Sequence, residues 1–206
     1  MSASPDSILI LGIGNVLWAD EGFGVRCAEA LDAEWCLPDS VTVMDGGTQG
    51  LYLLPHVTAA HRLIIFDAVD YGLPPATLRV IEGDEVPRFM GAKKMSLHQT
   101  GFQEVLASAD LLGQLPAELM LIGVQPEELE DYGGSLRPSV LARVPEAVAL
   151  ALTRLEAWGL RPMPRHQPAD SVTDRALALT AYQDGRPDAA SACRVGDSRL
   201  LATLAR

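Results

Sequence analysis

Cysteine is scarce in this 206-residue sequence and is not clustered. Cys27, Cys36 and Cys193 form no Cys-x-x-Cys pair, so the sequence contains none of the usual cysteine-pair zinc motifs. An odd and scattered set of thiols is typical of proteins that work in a reducing compartment. We therefore expect a cytoplasmic protein without a cysteine-based zinc site.

Long apolar runs are also absent from the sequence. No stretch approaches the ~20 apolar residues that a transmembrane helix requires, so we expect no membrane insertion. The first seven residues lack the basic start and the apolar centre of a signal peptide, and export is therefore not expected.

Positive charge is limited, since 16 Lys and Arg residues stand against 27 Asp and Glu residues, for a net charge of −11. Surfaces that bind nucleic acid or anionic membranes need clustered Lys and Arg, so we expect no nucleic-acid partner. The hydrophobic fraction of 48% is that of a soluble globular protein with a substantial core. The chain is long enough for one well-filled domain and short for two.

Hydrophobic periodicity predicts strands that alternate with helices. We expect strands over residues 8–11, 41–45, 62–67, 77–81 and 119–124, and helices over residues 25–35, 96–112 and 139–158. Residues 84–95 look irregular, and residues 125–138 form a long loop. This pattern predicts a single α/β domain with a mostly parallel twisted sheet of about five strands and helices on both faces.

Pro162 and Pro164 mark the end of this predicted domain, which we assign to residues 1–164. Residues 165–206 mix small and polar side chains with modest helical patches. They predict a C-terminal extension that is flexible or loosely docked.

The loop after the first predicted strand is the most informative stretch. Residues 12–24 follow the pattern G-x-G-N-x-L-x-x-D-E-G-x-G. A dinucleotide-binding fingerprint would require glycine at Leu17, and the carboxylates of Asp20 and Glu21 would repel a pyrophosphate. The loop is therefore better suited to a cation.

This pattern, followed by Asp45-Gly46-Gly47-Thr48 and by His98-Gln99-x-Gly101, resembles the hydrogenase maturation endopeptidases, and most of all the members that serve uptake-type hydrogenases. The resemblance runs from about residue 8 to about residue 160. It implies a peptidase that removes the C-terminal peptide from the large-subunit precursor of a nickel–iron hydrogenase. It also implies that the metal is nickel carried by the precursor, and that the peptidase holds no tight metal of its own.

Three candidate ligands lie far apart in the sequence. If the strand order is flavodoxin-like, Glu21 after the first strand and Asp67 at the end of the third meet at one sheet edge. With His98 they form a set suited to a divalent metal such as nickel. Each residue also has a simpler explanation: Glu21 suits a helix first turn, Asp67 can accept hydrogen bonds from loop amides, and His98 suits a surface or cap.

The resemblance assigns Glu21, Asp67 and His98 as the metal-binding residues, and they are also the candidates for catalysis. It assigns Asp45, Gly46, Gly47 and Thr48 to substrate recognition, although a tight turn alone would explain the glycines. Hydrolysis could use a metal-activated water, a metal-polarised carbonyl or a carboxylate general base. No Ser-His-Asp or Cys-His arrangement is visible. Two other functions stay open at this stage: a non-catalytic nickel-dependent assembly chaperone and a nucleotide-binding α/β protein.

Overall fold

The computed structural model describes residues 7–92, 97–166, 172, 174 and 176–185, but not the side chains of residues 89–92 and 97–100. Two short 3-10 helices cover Ala19–Gly22 and Gly50–Leu53. The other elements, in chain order, are β1 (Ile8–Ile13), α1 (Phe23–Glu34), β2 (Trp35–Cys36), β3 (Val41–Gly47), α2 (Leu54–Ala59), β4 (Arg62–Ala68), β5 (Leu78–Glu82), α3 (Glu85–Ala92), α4 (Leu97–Leu111), β6 (Glu118–Val124), α5 (Pro138–Leu141), α6 (Val144–Ala157), β7 (Met163–Pro164) and α7 (Leu179–Gly185).

The main sheet has five strands in the order β3-β1-β4-β6-β5. The first four strands are parallel, and β5 is antiparallel to β6. Because β1 is neighbour to both β3 and β4, the loops that follow these strands share one edge of the sheet. The predicted α/β domain with a mostly parallel sheet of about five strands is confirmed.

Alternate residues of the strands enter two cores, one on each face of the sheet. On one face, α1, α5 and α6 cover residues such as Ile10, Ile64 and Ile122. On the other face, α2, α3 and α4 cover residues such as Leu63 and Ile65. Helices therefore lie on both faces, as the sequence predicts. Among the described residues, no helix combines the length and the apolar character needed to cross a membrane.

Two helix predictions were wrong, and proline explains both. Residues 85–92 form α3 although the sequence looked irregular, because Pro87 lies in the first turn, where backbone N–H groups have no partner within the helix. The single helix predicted over residues 139–158 is two helices. Pro145 has no N–H to donate to the carbonyl of Leu141, so α6 begins afresh at Val144.

The C-terminal part of the described chain contacts the α1 region. β7 pairs antiparallel with β2, and the Arg165 N–H donates to the carbonyl oxygen of Glu34 at 2.7 Å. Further along, the guanidinium of Arg26 donates to the carbonyl oxygen of Leu177 at 2.5 Å and lies 5.7 Å from the ring centre of Tyr182. The division of the chain at residue 164 stays a prediction.

Candidate active site

The glycines of the first loop bring α1 against the ends of β1 and β4. A Cβ on Gly24 would collide with the carbonyl oxygens of Ile13 and Phe66, and a Cβ on Gly12 would collide with the carbonyl of Gly24. Gly14 has φ +131°, and its missing side chain makes room for the carbonyl oxygen of Glu21. These glycines therefore allow α1 to pack closely against the strands, and they allow the turn that carries Glu21 to fold back over the end of β1.

Glu21 is half-buried in the 3-10 helix that joins β1 to α1. Burial raises the pKa of its carboxyl to about 7, because the charged form loses hydration. A cation placed beside this carboxyl would favour the charged form and lower the pKa again. The position thus suits a group that meets a positive charge during function.

Asp67 lies at the carboxyl end of β4, one residue beyond the Gly12–Phe66 pair, and is fully buried. By the alternation of the strand it faces the same side of the sheet as Leu63 and Ile65, which is the side covered by α2 and α4. Glu21, which follows β1, and Asp67, which lies at the end of β4, are therefore at the carboxyl ends of neighbouring strands.

His98 belongs to the first turn of α4, and its side chain lies outside the described residues. The helix itself packs on the Asp67 side of the sheet through Phe102, Val105 and Leu106. A Cβ on Gly101 would lie 3.4 Å from the Cα of Gly50, so this end of the helix closely approaches the turn after β3. The convergence of the three predicted ligand side chains stays a prediction.

No group of three His, Cys, Asp or Glu able to hold a metal is present among the side chains that the structure describes. The predicted set of Glu21, Asp67 and His98 includes a residue beyond them. A nickel site at these residues therefore stays a prediction.

The predicted recognition segment is mostly strand, whereas the sequence predicts a strand that ends at Asp45. β3 continues through Gly46 and Gly47 because its register against β1 shifts, pairing Gly12 with Asp45 but Ile13 with Gly47. Such an irregularity absorbs one extra residue and lets pairing continue. The Gly14 N–H then donates to the Gly47 carbonyl at 3.0 Å. The segment that ends at Thr48 thus lies directly beside the Glu21 loop.

Asp20 joins the first loop to the long loop after β6. Its fully buried carboxylate accepts backbone N–H groups from Glu127 and Glu128 at 2.9 Å each, and from Arg137 at 2.7 Å. The Trp18 and Tyr132 rings also pack together, with centres 5.2 Å apart. This arrangement fixes the turn that carries Glu21.

Tyr71 and Gln125 were not identified from the sequence, yet both are buried near the ends of β4 and β6, and the Tyr71 N–H donates to Gln125 Oε1 at 2.7 Å. Gly123 is the feature of the sequence that could have indicated Tyr71. It is an isolated glycine within a predicted strand, and such a glycine often marks the close approach of another group. A Cβ at Gly123 would collide with the Tyr71 hydroxyl.

Comparison with known proteins gives a consistent result. The sequence model described as hydrogenase maturation protease matches residues 25–154. The hydrogenase expression/formation protein HoxM of Cupriavidus necator is 58% identical over 94% of this chain and 98% of its own length. HupM of Azotobacter chroococcum is 57% identical over all of this chain and 99% of its own length, so the similarity extends beyond residue 160, the predicted end of the resemblance.

Solved structures give the same result for the fold. The hydrogenase maturating endopeptidase HybD of Escherichia coli superposes with a TM-score of 0.73 and is 39% identical. The match covers 77% of this chain and 98% of the E. coli protein.

Proposed function

Because this chain belongs to the hydrogenase maturation protease family, we propose that it removes the C-terminal peptide from the nickel-loaded large-subunit precursor of a nickel–iron hydrogenase. The observation that carries the proposal is the placement of Glu21 after β1 and of the buried Asp67 at the end of β4, because β1 and β4 are neighbouring parallel strands. Further support comes from α4, because the first turns of this helix, in which His98 lies, approach the turn after β3: a Cβ on Gly101 would lie 3.4 Å from the Cα of Gly50.

Nickel is part of the substrate in this proposal. Two carboxylates and an imidazole are a ligand set that a divalent ion of intermediate softness accepts, and Glu21, Asp67 and His98 supply it. Without nickel in the precursor these residues would have no cation to bind, so an unloaded precursor would escape cleavage. The peptidase itself holds no tight metal.

Asp45, Gly46, Gly47 and Thr48 form the proposed contact with the substrate chain. Support comes from their position, because the Gly47 carbonyl is hydrogen-bonded to Gly14 beside the Glu21 loop. Gly47 has φ +44° and Gly46 is buried against Ile13, so side chains at either position would disturb this edge.

Two routes to hydrolysis are compatible with these residues. The precursor's nickel can polarise the scissile carbonyl or activate a water molecule. Alternatively, one of the carboxylates can take a proton from the attacking water as a general base. We place the reaction in the cytoplasm, on the basis of the scattered thiols.

The alternative functions are less well supported. The glycines that resemble part of a nucleotide-binding motif instead allow α1 to pack against β1 and β4. The carbonyl oxygen of Glu21 occupies the space in which a side chain at Gly14 would lie. A purely non-catalytic chaperone does not account for a chain that is a maturation endopeptidase by family.

The His98→Ala variant tests the proposal. We expect it to fold like the wild type, because alanine is favourable in a helix, yet to release no C-terminal peptide from nickel-loaded precursor as followed by mass spectrometry. His56→Ala is the matched control, since His56 is exposed on α2 and should leave processing intact. Full processing by a stably folded His98→Ala protein would exclude histidine from nickel binding.

A further inference from the structure

Residues 176–185, which we call the C-terminal strap, are hydrogen-bonded to α1. The guanidinium of Arg26 donates to the Leu177 carbonyl at 2.5 Å, and the Leu179 N–H donates to the carboxylate of Glu29 at 3.0 Å. Arg26 is only 4% exposed, so the strap covers a buried charge near the start of α1. One side of the strap is therefore anchored on this helix.

The other side of the strap contacts the long loop between β6 and α5. Gln183 Nε2 donates to the Ser135 hydroxyl at 3.2 Å, and the Tyr182 hydroxyl donates to the carbonyl oxygen of Gly134 at 3.4 Å. Ser135 is itself buried. The strap therefore joins α1 to a loop that lies far from it in the sequence.

The same long loop is bound to the backbone that leads to Glu21. The Gly133 N–H donates to the Leu17 carbonyl at 2.7 Å. Trp18 and Tyr132 form an isolated β-bridge, and their ring centres are 5.2 Å apart. The Glu21 N–H then donates to the Trp18 carbonyl at 2.9 Å. A continuous series of contacts thus runs from the strap to the backbone of Glu21.

The turn that carries Glu21 lies between the two anchors of the strap. It is followed directly by α1, to which the strap binds, and its Asp20 is hydrogen-bonded to the long loop, which the strap also contacts. A loop that is already held in place loses less conformational freedom when a partner binds than a loop that must be ordered.

We infer that the C-terminal strap is a positioning element, which fixes the long loop against α1 and so holds the Glu21 turn ready for the nickel-loaded precursor. Tyr182 and Gln183 are its positioning residues toward the loop. The inference rests on the proposed function, because it acts through Glu21. It gives a role in substrate binding to a segment that lies beyond residues 25–154, the part matched by the family model.

The double variant Tyr182→Phe with Gln183→Ala tests the inference in the whole chain. It removes both polar contacts of the strap with the long loop and keeps the ring at position 182 beside Arg26. We expect KM for the nickel-loaded precursor to rise about fivefold with kcat unchanged, because the precursor must then order the loop as it binds. Hydrogen exchange of the Gly133 amide should accelerate as well, since the loop opens more often.

The matched control is Thr180→Ala with Asp184→Asn, two substitutions at exposed positions of the same helix, which should leave KM and exchange at wild-type values. A merely structural role of the strap would instead lower the unfolding midpoint and reduce kcat per total protein through a smaller active fraction, with KM unchanged.

That pattern would overturn the inference, and so would a wild-type KM in the Tyr182→Phe, Gln183→Ala protein, whether or not exchange accelerates. A raised KM with unchanged exchange would also overturn it, because the two side chains would then act by direct contact with the precursor. In each of these cases the wild-type protein still cleaves, and the proposed function stands. If the wild-type protein releases no peptide from nickel-loaded precursor, the proposed function fails and the inference fails with it.

Discussion

Asp20 and Glu21 are adjacent in the chain, yet their carboxyl groups have very different surroundings. Three backbone N–H groups donate to the Asp20 carboxylate, which is the environment of a structural anchor. Burial raises the pKa of Glu21 to about 7, and shifted pKa values of this kind are typical of residues in functional sites. One residue thus holds the loop in place, and in the proposed function the next residue faces the substrate.

We expect Asp20→Asn to lower the free energy of unfolding by about 1–3 kcal/mol, because an amide cannot accept all three N–H groups and leaves buried donors unsatisfied. Urea unfolding measures this change. Asp39→Asn is the matched control, since Asp39 is exposed at the opposite edge of the sheet. An Asp20→Asn protein as stable as the wild type would show that the long loop does not depend on this carboxylate.

The raised pKa of Glu21 predicts a pH dependence of stability in the metal-free protein. Between pH 4.5, the ordinary pKa of a glutamate, and about pH 7, the folded state binds more protons at Glu21 than the unfolded state does. The contribution of Glu21 to the free energy of unfolding therefore falls as the pH rises through this range. The difference in unfolding free energy between Glu21→Gln and the wild type should therefore grow in favour of the variant from pH 5 to pH 8. A pH-independent difference for Glu21→Gln would mean that its carboxyl titrates normally.

At the scale of elements, the sheet could be predicted better than its connections. The apolar runs that became β1, β4 and β6 are buried on both faces, so their composition alone marks them as strands. The extension of β3 to Gly47 depends on a register shift against β1, and no local pattern records such a pairing. The sequence does not predict helix α3, because proline usually interrupts a helix. Pro87 instead lies in the first turn of α3, where proline is tolerated.

The packing of α1 against the sheet predicts that Gly24→Ala is strongly destabilising. A methyl group there would overlap the carbonyl oxygens of Ile13 and Phe66, and backbone atoms cannot move aside as a flexible side chain can. We expect a loss of about 1–3 kcal/mol or more in the free energy of unfolding, measured in urea. Gly185→Ala is the control, since its Cβ would meet no atom within 4 Å. Equal stability of the two variants would contradict this account of the glycine pattern.

At the scale of the whole molecule, the segment around Leu177 and Tyr182 covers Arg26, which is only 4% exposed. Arg26 also pairs with Glu29 on its own helix at 2.8 Å, so it would keep a partner if the segment were removed. The segment therefore adds to the surface of α1 without supplying either core.

We expect truncation after Arg165 to preserve a single cooperative unfolding transition. The loss should be about 3 kcal/mol, equivalent to a midpoint lowered by roughly 6–12 °C, because two hydrogen bonds to charged groups are exchanged for water: the one from Arg26 to the Leu177 carbonyl and the one from the Leu179 N–H to Glu29. Calorimetry measures both features. A broad or absent transition would show that the C-terminal segment is part of the core.

Residues for the candidate site could be proposed from the sequence, whereas the contacts that surround them could not. Glu21, Asp67 and His98 could be proposed because strand ends on a parallel sheet share one edge. The contacts of Asp20 with Glu127 and Arg137 join positions more than a hundred residues apart, and the Tyr71 hydroxyl fills space left by a glycine. Such contacts follow from the assembled fold and leave little trace in local sequence.

The central claim is that this peptidase recognises its substrate through nickel. The most direct measurement is a side-by-side cleavage assay of the same large-subunit precursor with and without nickel, in which the released C-terminal peptide is detected by mass spectrometry. The account predicts that the wild-type protein cleaves the nickel-loaded precursor and leaves the nickel-free precursor intact. Cleavage of both precursors at the same rate would contradict it.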